Sequence, residues 1–179
     1  MDKVYTTAIV IIPPKEIWEP IQKIRRQYDC QIKRWMPHIN LIYPFRPIYD
    51  FDNLEPQFNV ICQQIPPFEI SLKSFNYFTH GHQNFTIWLR PDPMAPIIKL
   101  QERILKLVPD CNDLNLYRNG FTPHLSIGQI KGKKVLIETI NNLESNWIPQ
   151  NFLLDRIFFI AREDRKNSTF QEKKIIKFS

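Results

Sequence analysis

The chain has 179 residues and carries 24 Lys and Arg against 18 Asp and Glu, a formal charge of +6. With 43% apolar and 23% charged residues it is not a disordered chain, and it is long enough to bury a substantial core. Its early apolar run ends at Pro13, too short for a membrane span or a signal segment, so a cytoplasmic or nucleocytoplasmic protein is expected.

Residues 5–12 (YTTAIVII) are β-branched and apolar, and read as a buried strand. From Pro14 to about Tyr28, Ile17, Trp18, Ile21 and Ile24 recur at helical spacing, with Pro14 suited to a first turn. Residues 38–43 form a short strand, and a helix is expected over about 53–64, stopped by Pro66 and Pro67. Residues 68–78 and 85–90 are strands joined by the polar turn THGHQN. A helix follows over about 94–107, then a strand at 123–130 and a helix at 133–145. Residues 152–161 and 171–178 close the chain as a hairpin. The prolines, fifteen in all, are expected at the edges of these elements, because the ring removes a donor and disfavours helix interiors and central strands. The fold class is therefore α+β: one bilobal domain over residues 1–179, each half of the chain building a lobe with an antiparallel sheet and flanking helices. A cleft is expected between the lobes.

One phrase occurs twice. "MPHINLIYPF" and "TPHLSIGQI" both read proline, histidine, aliphatic, small polar, aliphatic. Alternation along a strand puts His38 and Asn40 on one face and Ile39 and Leu41 on the other. In the second phrase His124 and Ser126 share a face, and Gly128 continues it, leaving open space. Two such strands facing each other make a pocket with two imidazoles and two neutral donors. One imidazole accepts a proton while the other donates, and Asn40 and Ser126 hold the non-bridging oxygens of a phosphate. The phrases contain no carboxylate cluster of the kind that holds magnesium or calcium, so no metal and no cofactor is expected.

These residues resemble the two motifs of the two-histidine (2H) phosphoesterases, the superfamily of the 2′-5′ RNA ligase-like cyclic phosphodiesterases. "FTPHLSIGQ" is close to the second motif. "PHINLIYPF" is similar to the first, with Asn40 where the family usually has Thr or Ser. The resemblance covers about residues 5–178. It implies a bilobal fold with one motif per lobe, His38 and His124 as catalytic acid and base, and Asn40 and Ser126 on the phosphate. It further implies metal-independent chemistry on 2′,3′-cyclic phosphates, 2′-5′ linkages or RNA ends. A nucleotide or RNA is then the expected partner of a monomer. The departure at Asn40 leaves open an alternative, a catalytically weak or inactive RNA- or nucleotide-binding domain using the same cleft.

Around the motifs, a nucleobase needs a flat side chain to stack on, for which Phe78 and Tyr43 are the candidates. Odd spacing from His38 turns Tyr43 away from the site if the strand is unbent. Arg46 is a candidate rim cation that would guide a polyanion. His80 and His82 fall in an exposed turn, a pocket rim being the alternative for His80. The odd number and wide spacing of Cys30, Cys62 and Cys111 predict reduced thiols.

Overall fold

The computed structural model describes residues 2–179. The elements in chain order are β1 (Thr7–Ile11), α1 (Trp18–Tyr28), β2 (Ile39–Ile42), α2 (Phe51–Cys62), β3 (Phe68–His80) and β4 (Asn84–Asp92). They are followed by α3 (Met94–Leu105), β5 (Leu125–Lys131), α4 (Lys133–Asn146), β6 (Gln150–Leu154), β7 (Arg156–Ala161) and β8 (Gln171–Lys177). Two four-stranded antiparallel sheets result, in the orders β2-β1-β7-β8 and β5-β4-β3-β6. Each motif strand is therefore the edge strand of its sheet. Two lobes with one motif strand each match the expectation from sequence.

The lobes are not the two halves of the chain. The apolar run 152–161 does not form one strand: it divides at Asp155, with β6 pairing to β3 in one sheet and β7 to β1 in the other. The last hairpin therefore returns to complete the sheet begun by the first strand. The helices are exchanged as well. α1, which follows β1, packs on β5 of the opposite sheet, and α3, which follows β4, reaches β2 of the first. Both exchanges have one physical reason. An apolar strand or helix stripe must be covered, but nothing local says which neighbour covers it.

A single apolar cluster runs between the layers. Ile9, Ile11, Ile39, Leu41 and Phe159 from one sheet meet Ile87, Leu89, Leu125 and Ile127 from the other, with Ile21, Phe58, Ile97 and Ile104 of the helices between them. At ~25 cal/mol per Å² of apolar area removed from water, each such side chain contributes roughly 1.5–3 kcal/mol. The opposite face of the first sheet carries a smaller cluster of Ala8, Val10, Ile12, Phe158, Ile160 and Phe170. Hence β1 is buried along its whole length, as its unbroken apolar pattern requires.

Three prolines lie inside helices and one inside a central strand, against the expectation that prolines only mark edges. Pro20 and Pro96 occupy first turns, where the missing N–H would have had no partner anyway. Pro56 is interior to α2, whose buried Phe51, Leu54, Phe58 and Cys62 hold the helix against the lost bond. Pro91 sits near the end of β4, opposite Leu72 and beside a register shift. All three cysteines are free thiols, Cys30 exposed and the other two buried. No helix among the described residues is long and apolar enough to cross a membrane.

Candidate active site

Both motif strands contain a bulge at the same point. In the first, Val10 pairs with Asn40 but Ile9 pairs with Ile42, so Leu41 is the extra residue. In the second, Trp88 pairs with Ser126 but Ile87 pairs with Gly128, so Ile127 is extra. A bulge shifts the alternation by one, so residues beyond it change face. Two expectations change as a result. Gly128 does not continue the polar face, nor does it leave open space. A Cβ on it would lie 2.3 Å from Tyr28 Cβ and 2.8 Å from the Tyr28 carbonyl carbon, so the absent side chain is where α1 ends against β5. Tyr43, expected to turn away, joins the face of His38: its ring meets Trp35 edge-on at 5.3 Å, and Trp35 stacks on His38 at 4.5 Å.

The two histidines are held in the same way. His38 Nδ1 lies 2.7 Å from the Met36 carbonyl oxygen and His124 Nδ1 lies 2.7 Å from that of Thr122. A carbonyl only accepts, so Nδ1 carries the proton of each neutral ring and Nε2 keeps its lone pair. The cause is legible in the chain. Pro37 and Pro123 bias the residues before them toward extended backbone, so both phrases favour the same local path around the carbonyl and the imidazole. Each ring also has an aromatic wall. His38 lies on Trp35, which in turn stacks on Phe170 at 3.7 Å. His124 meets the Phe78 ring edge-on at 4.8 Å, and Phe78 stacks on Trp88 at 5.0 Å.

β2 and β5 approach within 8 Å, Cα to Cα, and a charge on His124 is felt at His38. A chain of contacts ties the two lobes together behind the rings. Gln129 of β5 accepts from the Cys30 N–H at 3.0 Å and donates to Asp29 at 3.5 Å. Asp29 pairs with buried Arg25 at 2.8 Å, and Arg25 donates to the Trp35 carbonyl at 2.9 Å. Trp35 is the residue on which His38 rests.

Burial pushes His38 down from 6.5 to about 4; the Met36 carbonyl opposes this, while the Arg25 guanidinium lowers it further. Burial likewise lowers His124, with the Thr122 carbonyl opposing it. Both rings are therefore neutral near pH 7 in the unliganded protein, and only His38 has a guanidinium behind it. Among the described residues no three His, Cys, Asp or Glu side chains converge as a metal site.

A family model described as the 2′-5′ RNA ligase superfamily matches residues 13–166. The chain belongs to that superfamily. It is 28% identical over 127 residues to the Geobacillus kaustophilus protein named "Putative phosphoesterase GK0864", covering 68% of each chain. Among solved structures, TT0787 of Thermus thermophilus shares the fold with a TM-score of 0.64 at 11% identity, covering 96% of this chain and 97% of that one. E. coli LigT complexed with 3′-AMP shares it with a TM-score of 0.59 at 13% identity, covering 99% of both chains.

Within this member of the superfamily, the remaining predicted residues are placed as follows. Asn40 lies beside Val10 with its Oδ1 buried and without a partner, and Ser126 lies beside Trp88. Phe78 meets His124 edge-on. Arg46 is not an exposed rim cation: it is 5% exposed and ion-paired with Asp110, while its carbonyl accepts from the Thr7 hydroxyl at 2.8 Å. His80 and His82 are exposed, and His80 Nε2 is 2.9 Å from the Thr86 hydroxyl. Sequence reasoning missed Trp35, Trp88 and the Arg25–Asp29 pair. The first had a signal, three positions before His38; the others are brought to the cleft by pairing and helix exchange alone.

Proposed function

We propose that this cleft is the active site of a metal-independent phosphodiesterase acting on 2′,3′-cyclic phosphates or 2′-5′-linked nucleotides at RNA ends. The observation that carries this reading is the matched pair of imidazoles. Both have Nδ1 engaged by a carbonyl and Nε2 left free, and each stands immediately before an edge strand, one in each lobe. The binding of 3′-AMP by LigT supports a nucleotide as ligand.

We assign His38, which has the Arg25 guanidinium behind it, as the base, and His124, which has no cation beside it, as the acid, protonated at Nε2 once the bound phosphate anion favours its cationic form. On a 2′,3′-cyclic phosphate, water attacks phosphorus and gives its proton to His38 Nε2. The P–O3′ bond breaks, and the O3′ takes the proton of His124 Nε2. A 2′-phosphate remains, and the two rings exchange their proton through solvent to restore the starting state. The Met36 and Thr122 carbonyls stabilise whichever ring is cationic. Asn40 and Ser126 donate to the non-bridging oxygens.

The test is turnover of 2′,3′-cyclic nucleotides and 2′-5′ oligonucleotides in EDTA. Activity should persist, and His38→Ala and His124→Ala should each lose at least ~10²-fold. Loss of activity in EDTA, or full rate in either variant, overturns the scheme. Binding that survives both substitutions with no turnover on any phosphodiester identifies a binding domain instead.

A further inference from the structure

We propose that the Trp88 indole N–H is a further hydrogen-bond donor to the bound phosphate, completing the donor set on the second lobe. This rests on reading the cleft as a phosphate site. Trp88 is 4% exposed, and its Nε1 has no hydrogen-bond partner among the described residues. Two other tryptophans, each half-buried, show what the fold does with an indole N–H. Trp18 Nε1 donates to the Pro13 carbonyl and Trp147 Nε1 to that of Leu72, each at 2.7 Å. A buried N–H left without an acceptor loses its hydration with nothing in return, and phenylalanine would provide the same stacking surface without that cost.

The location of this orphan donor says what it is for. Trp88 alternates with core-facing Ile87 and Leu89, so its ring lies on the opposite face, beside Phe78 and His124. It is the direct cross-strand neighbour of Ser126, and its ring centroid is 5.8 Å from that of His124. The equivalent position on the other lobe, beside Asn40, is Val10, which has nothing to donate. The difference compensates for the unlike motif residues. The Asn40 amide carries two N–H donors, whereas the Ser126 hydroxyl carries one. With Trp88 added, each lobe offers two hydrogens to the anion. Unlike an imidazole, an indole N–H does not titrate in the working range, so this donor holds charge without entering the proton relay.

The experiment is a titration of the full-length protein, ¹⁵N-labelled at tryptophan and histidine, with inorganic phosphate and then with a 2′-nucleotide, followed by NMR. Trp88→Phe assigns the indole resonance. The Trp88 indole signal should shift together with both imidazoles, and Trp88→Phe should weaken phosphate binding about tenfold or more while both imidazoles still respond. Imidazoles that respond while the Trp88 indole stays fixed overturn this proposal and leave the phosphate-site reading standing. If neither imidazole responds to either ligand, the phosphate-site reading fails and this proposal with it.

Discussion

Replacing Gly128 by alanine tests whether the fit of α1 against β5 sets the site. The added Cβ would stand 2.3 Å from Tyr28 Cβ and 2.9 Å from the Tyr28 carbonyl oxygen. Carbon atoms in contact prefer about 3.5–4.0 Å, so the end of α1 must withdraw by about an ångström. The obstacle includes backbone and cannot rotate aside. Overpacking of this kind costs about 1–3 kcal/mol, which for a chain of this size lowers the melting temperature by roughly 4–8 °C at 2 kcal/mol. The displaced segment runs directly into Asp29, which joins Gln129 to Arg25 and so to the Trp35 platform under His38. A misplacement of about 1 Å in a catalytic group costs on the order of 10²-fold in rate. Thermal unfolding and kcat/KM on a cyclic nucleotide should therefore fall together in Gly128→Ala. A variant that melts and turns over like the wild type would refute the coupling of helix packing to histidine placement.

Stability should depend on pH through His38. Because burial lowers its folded-state pKa to about 4 from 6.5, the neutral ring's contribution is complete above pH 6.5 and is lost as pH falls toward 4. Roughly 3 kcal/mol should disappear over that window in urea unfolding, and His38→Gln should flatten the slope. The pH profile of kcat/KM should likewise show both apparent pKa values of the coupled pair below 6.5. Arg25→Met leaves Asp29 buried without its cation and should cost about 3–5 kcal/mol in chemical denaturation, more than any surface ion pair removed in the same way. His82 and Gln83 both sit at positive φ, 60° and 59°, at the tip of the β3–β4 hairpin, where glycine is unstrained. Gln83→Gly should raise stability by about 1 kcal/mol without changing turnover.

The local chemistry was readable from the chain. His38 and His124 each follow a proline and precede an aliphatic–polar pair, and that spacing alone places an imidazole and a neutral donor on one strand face. The helical stripe of Ile17, Ile21 and Ile24 and the hairpin around THGHQN are equally short-range signals. What could not be read depends on partners distant in sequence. The bulges at Leu41 and Ile127 exist only because of how β1 and β4 pair with the motif strands, and they alone decide that Tyr43 turns toward the site and Gly128 away from it. Asp155 divides one apolar run between two sheets, because each sheet needs another strand and both are within reach. The exchange of α1 and α3 brings Arg25 behind His38, and the pairing of β4 with β5 sets Trp88 beside Ser126. Side-chain alternation and helical period are properties of a few consecutive residues, so the sequence alone determined which groups share a strand or helix face. Register, pairing and helix exchange are settled by the burial of the whole core, and only the tertiary structure decided which groups hold them in place.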